Sequence, residues 1–240
     1  MIEAAENGKS ACVQLFLTSG VDPHIQDYQG QNALIAAATA GDEESLEVLI
    51  QAKANVYTVD NEGYTALARA AESGCSACLQ ALLDAKAEVD ITNIYGESAL
   101  FHAALEGHTE CLELLLEAKA DVEIIDNNGN TALIDAVRAG NIECAQILFD
   151  AGSDVDVISY ENGSALVIAA GNGDVASVEF LLEAPADIAV EALDGYNAFT
   201  AAMHKGHIGC AQILLDANAN IDSKENNGFT ALSSAVYHRK

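Results

Sequence analysis

The segment DNNGNTALIDAVRAGNIECAQILFDAGSDVDVI, residues 126–158, is one member of a series. Its pentapeptide GNTAL returns as GQNAL, GYTAL, GESAL, NGSAL, GYNAF and GFTAL, which places alanines at Ala33, Ala66, Ala99, Ala132, Ala165, Ala198 and Ala231. Every interval is 33 residues. A second marker, Gly8, Gly41, Gly74, Gly107, Gly140, Gly173 and Gly206, keeps the same interval. Self-similarity at a fixed period of this size is the mark of an array of stacked units. The expected fold is an all-α repeat solenoid, a curved elongated array with no single central core.

Local chemistry divides each unit. The residue before the alanine is Asn32, Thr65, Ser98, Thr131, Ser164, Asn197 or Thr230. All are N-cap types, whose side-chain oxygen accepts from a free amide of a helix's first turn. Leu133, Ala136 and Val137 then fall at helical spacing, and Gly140 ends the helix. A second helix follows, as in ECLELLLEAKAD, with Cys111, Leu112, Leu114, Leu115 and Leu116 inward and Glu110, Glu113 and Glu117 outward. An extended stretch such as DVEIID leads to the next turn.

This pattern resembles the ankyrin-repeat family: an acid, two variable residues, glycine, a capped first helix, glycine, then a leucine-rich second helix. The resemblance implies helix-turn-helix units joined by β-hairpin loops. It divides one repeat domain, 1–240, into a partial repeat or cap at 1–26, full repeats at 27–59, 60–92, 93–125, 126–158, 159–191 and 192–224, and a partial repeat at 225–240. Two departures stand out. The family's proline at the first helical position is alanine in all seven copies, so each helix start depends on its cap. The usual glycine after the second helix is Gly20, Lys53, Lys86, Lys119, Gly152, Pro185 and Asn218. Proline cannot take a positive φ, so an irregularity is expected at Pro185.

The stretch AAGNGDVA, residues 169–176, imitates a dinucleotide fingerprint. The fingerprint needs a strand before its glycines, whereas the register makes ALVIAA a helix, Gly173 a framework glycine and Gly171 one choice at a variable position. Cys12, Cys78, Cys111, Cys144 and Cys210 share one equivalent position, filled by Ser45 and Ser177 in the other copies. Helices stacked roughly 8–10 Å apart hold such residues beyond the roughly 7 Å that a disulfide spans. Reduced buried cysteines are therefore expected, with Cys75 as an exposed thiol. His204, His207 and Cys210 have metal-like spacing but no fourth ligand. The expectation is no catalytic site, no cofactor and no metal.

Ten basic residues against thirty-seven acidic ones give a formal net charge of -27. Phosphate contacts depend on clustered lysine and arginine, so nucleic acid and anionic membranes are not expected partners, and a protein with a basic surface is. MIEAAENGKS has no basic segment leading into an apolar one, and no apolar run of about 18 residues could span a bilayer. The expected chain is monomeric and resides in the cytoplasm or nucleus.

By the resemblance, a partner binds the concave face made by the hairpin tips and the exposed side of the first helices. The candidate contact residues there are Tyr64, Ile94, Tyr95, Leu105, Ile125, Asn128, Arg138, Ile158, Tyr160 and Tyr196. Ile94, Tyr95, Leu105, Ile125, Ile158 and Tyr160 would form an apolar stripe rimmed by acids, of the kind that marks interfaces; alternatively Ile125 and Ile158 pack between neighbouring hairpins. The implied role is a non-catalytic interaction scaffold. Competing roles are the targeting arm of a larger enzyme such as a kinase or ubiquitin ligase, suggested by GFTALSSAVYHRK ending after one helix, or a secreted effector that binds host proteins.

Overall fold

Among the described residues, each run that opens on a framework alanine from Ala33 to Ala198 forms a helix of eight residues, and each leucine-rich run after the next framework glycine forms one of nine. The computed structural model describes residues 1–160, 163–184, 186–193, 195–226, 228 and 230. Pro185, where an irregularity was expected, and the helix expected after Thr230 lie outside them. The chain divides into two compact units, Met1–Ile124 and Ile125–Lys240.

The first unit holds α1 (Ile2–Glu6), α2 (Ser10–Thr18), α3 (Ala33–Ala40), α4 (Glu43–Gln51), α5 (Ala66–Ser73), α6 (Ser76–Asp84), α7 (Ala99–Glu106) and α8 (Thr109–Glu117). The second holds α9 (Ala132–Ala139), α10 (Ile142–Asp150), α11 (Ala165–Asn172), α12 (Val175–Glu183), α13 (Ala198–Lys205) and α14 (Ile208–Asp216). Within each unit first helices pack on first helices, as α3 on α5 and α11 on α13, and second helices on second helices, as α4 on α6 and α12 on α14. Among the described residues the loops contain isolated antiparallel bridges, Val59 with Thr65, Ser159 with Gly163 and Lys224 with Thr230.

Composition explains the layering. In α3, Ala33 through Ala38 are all buried, because a first helix is covered by its neighbours and by its own second helix. A helix apolar nearly all round belongs inside, and alanine lets the backbones approach. The second helices bury one face only, Leu46 and Leu49 in α4 and Leu112 and Leu115 in α8. Nine-residue helices are marginal in water by themselves. Burying each leucine is worth roughly 2 kcal/mol, and that packing holds them.

The caps agree with the sequence reading except at two serines. The side chains of Asn32, Thr65, Thr131 and Asn197 each accept from the backbone N–H three residues on. Ser98 and Ser164 occupy the same position without a side-chain cap bond, and both hydroxyls are buried without a partner among the described residues. At Ser98 the Phe101 N–H is taken by the Ser98 carbonyl oxygen at 3.1 Å.

Each first helix from α3 onward ends in left-handed backbone at its framework glycine, from φ 64° at Gly41 to 82° at Gly206. Lys53, Lys86, Lys119 and Asn218 take the same conformation after second helices, at φ 62°, 66°, 70° and 67°. There the helix is closed by a bond from the following amide, Ala54 N–H to Leu49 O, Ala87 N–H to Leu82 O and Ala120 N–H to Leu115 O, each 3.0 Å. This is the Schellman closure that glycine usually serves.

Candidate protein-binding surface

Several of the turns that precede the first helices are built by a leading acid. Asp60 Oδ1 accepts from the N–H groups of Glu62 and Tyr64 at 3.0 and 2.9 Å. In the second unit Asp126 Oδ1 does the same for Asn128 and Asn130 at 2.8 and 2.7 Å. Consecutive turns are then tied together. Asn61 N–H donates to Gln29 O at 2.8 Å and Ile94 N–H to Glu62 O at 2.9 Å, while in the second unit Tyr160 N–H donates to Asn128 O at 2.8 Å. Within each unit the tips are thus joined by backbone hydrogen bonds, and variable side chains project from them.

In the first unit Tyr28 is 89% exposed, and Ile94 and Tyr95 are 56% and 48% exposed. Leu105, at the end of α7, is also exposed. In the second unit Tyr160 is exposed and passes over Gly129, where any β-carbon would come within 3.1 Å of its ring. Ile125 and Ile158 remain 48% and 42% exposed, so packing between neighbouring hairpins does not bury them. Asn128 is exposed at the same tip.

Tyr64 does not follow the sequence reading. Its ring is buried, with the Arg69 guanidinium 3.5 Å above its centroid and the His102 ring centroid 5.2 Å away. The guanidinium covering it comes from α5, and the imidazole from α7 of the next repeat. Arg69 also donates to Glu72 Oε2 at 2.9 Å and to Asp60 Oδ2 at 3.1 Å. Burial works against the guanidinium charge, but these two bonds outweigh it and hold its pKa above the ordinary value. The Tyr64 hydroxyl is pushed up by burial and then by the Glu97 charge. Burial pushes the His102 imidazole down, against the pull of Glu97, whose carboxylate lies 3.9 Å from Nε2. A cleft of about 350 Å³ lies beside this cluster, lined by Tyr28, Gln29, Asp60, Asn61, Glu62 and Arg69 among others.

Arg138 and Tyr196 lie in the second unit. Arg138 is half-buried, and it donates to Asp135 Oδ1 and, at 2.7 Å, to Asn130 Oδ1. Tyr196 is half-buried, its hydroxyl 3.2 Å from His204 Nδ1. Gly171 lies inside α11 and Gly173 is the left-handed cap that ends it, so the strand required by a dinucleotide site is a helix here. His204 is directed to Tyr196 while Cys210 is buried in α14.

The cysteines require a correction. Cys111, Cys144 and Cys210 are buried free thiols, and burial raises the first two to about 11. Cys12, expected inside, is exposed. Cys75, expected as a free thiol, is disulfide-bonded to Cys78 with α-carbons 5.2 Å apart. The distance argument that keeps cysteines of different repeats apart does not apply within one helical turn, and Cys75 is the N-cap residue of α6 with Cys78 in its first turn.

The family model described as ankyrin repeats, in three copies, matches residues 1–93, 85–159 and 166–240. The crystal structure of the human ASB11 ankyrin repeat domain is similar, with a TM-score of 0.78 and 27% identity, covering 85% of this chain and 92% of that one. No curated protein sequence matches.

Proposed function

This chain belongs to the ankyrin-repeat family, and on that premise we propose that it is a non-catalytic scaffold or adaptor that captures a partner protein on its hairpin tips and first-helix ends. Ankyrin repeats generally mediate protein–protein interaction. The observation that carries the placement is the pair of rigidly held tips, Ile94 with Tyr95 in one unit and Ile158 with Tyr160 in the other. Their rings and aliphatic ends stand in solvent although the amides of Ile94, Tyr95 and Tyr160 are hydrogen-bonded in place. Large side chains presented without an ordering cost are favoured at interface hot spots.

The net charge of -27 supports a partner whose surface is basic. Attraction to such a surface acts before contact and weakens as salt screens it, over a Debye length of about 8 Å at physiological ionic strength. Affinity capture with a crosslinker tests the reading. The Tyr95→Ala and Tyr160→Ala double variant is expected to lose at least tenfold in partner recovery with unchanged circular dichroism. Full recovery with an intact fold removes the tips from the binding site.

A further inference from the structure

In the second unit one position of the first helix is occupied, in three successive repeats, by Arg138, Gly171 and His204. The middle residue withholds its side chain, and a cavity of about 420 Å³ opens there. Its floor is apolar, with buried Val167, Ile168 and Ala201. Its rim carries Arg138, His204 and Lys205. Gly171 is an ordinary helical residue, and a β-carbon there would meet only the Ala201 β-carbon, at 3.9 Å. The opening is therefore due to the missing side chain and not to unusual backbone.

The charge of this rim runs against the rest of the molecule. Only ten lysines and arginines stand in 240 residues, and Lys53, Lys86 and Lys119 sit at second-helix ends. Asp135 compensates Arg138. Lys205 is exposed and makes no ion pair among the described residues.

We infer that the notch over Gly171 receives an acidic side chain of an extended segment of the partner protein, with the carboxylate at Lys205 and its aliphatic stem on Val167 and Ala201. This rests on the protein-binding reading above. An exposed ammonium on the α13 wall, facing a cavity whose α9 wall carries a guanidinium held by Asp135 and Asn130, suits a carboxylate through a charge-assisted hydrogen bond. The two scales of charge then act in sequence: the acidic molecule draws in a basic segment, and the notch selects the one that also carries an acid.

A phage-displayed library of random dodecapeptides, selected on the full chain, supplies the test. The enriched peptides are expected to hold a Glu or Asp beside an apolar residue, flanked by Lys or Arg. Changing that acid to its amide is expected to weaken binding about tenfold. Gly171→Leu, which fills the notch at a position where leucine suits a helix, and Lys205→Glu are each expected to do the same. Enriched peptides without an acid, or acidic ones that bind Gly171→Leu equally, overturn the notch and leave protein recognition standing. A library that yields no binder to the wild-type chain also overturns the notch, while protein recognition is decided separately by the crosslinked capture above.

Discussion

The guanidinium of Arg69 lies 3.5 Å above the ring of Tyr64 and joins Asp60 to Glu72 from that position. One side chain thus covers an aromatic ring and neutralises the acid that organises the turn. A planar fork is needed for both tasks, which lysine lacks. Arg69→Ala is expected to cost roughly 1–3 kcal/mol, through the lost cation–π contact and an unpaired Asp60. Arg69→Lys is expected to recover less than half of that loss. Urea midpoints of the two variants decide the matter, and unchanged midpoints in both would show that the Arg69 contacts to Tyr64 and Asp60 do not contribute to stability.

His102 makes the same cluster sensitive to acid. Burial lowers its pKa in the folded chain, even with Glu97, Glu72 and Glu106 pulling upward and Arg69 pulling down. The unfolded chain, with a histidine pKa of about 6.5, therefore binds the proton more readily. Stability contributed by neutral His102 is present above that pH and is lost as the pH falls below it. His102→Gln is expected to flatten the fall in urea midpoint between pH 7.5 and 5.5 relative to wild type. Parallel profiles for the two proteins would show that His102 does not couple protons to folding.

The helix starts divide into two classes. Thr131→Ala removes a cap whose oxygen accepts from Ile134 N–H, and is expected to cost about 1 kcal/mol. Ser98→Ala and Ser164→Ala remove buried hydroxyls that have no partner among the described residues, and are expected to be neutral or slightly stabilising. Thermal midpoints of the three single variants separate the classes; a Ser98→Ala loss as large as that of Thr131→Ala contradicts the distinction.

Lys53, Lys86 and Lys119 hold left-handed backbone that costs an L-residue roughly 1–2 kcal/mol. Replacement by glycine relieves the steric cost and adds some unfolded-state entropy. Each of Lys53→Gly, Lys86→Gly and Lys119→Gly is therefore expected to stabilise by about 0.5–1 kcal/mol, read as higher urea midpoints. Unchanged midpoints would mean the lysines adopt that conformation at no cost.

Sequence alone determined the repeat, its 33-residue period and the family that the period and its markers resemble. These depend on local rules, namely which residues cap a helix, which end it and which face of it is apolar, and each rule acts within a few residues. It also disposed of the nucleotide motif, because the register made Gly173 a helix end. Tertiary structure decided the fate of individual side chains. Tyr64 and Tyr95 sit near corresponding turns, but an arginine from α5 and a histidine from α7 cover the first while the second stays exposed. Cys75 meets Cys78 because the cap geometry of α6 brings their α-carbons to 5.2 Å. The missing side chain of Gly171 becomes a notch because α9 and α13 pack on either side of α11 and wall it. Periodicity reports what neighbouring repeats have in common, whereas exposure and pairing depend on how each side chain differs from its equivalents one repeat away.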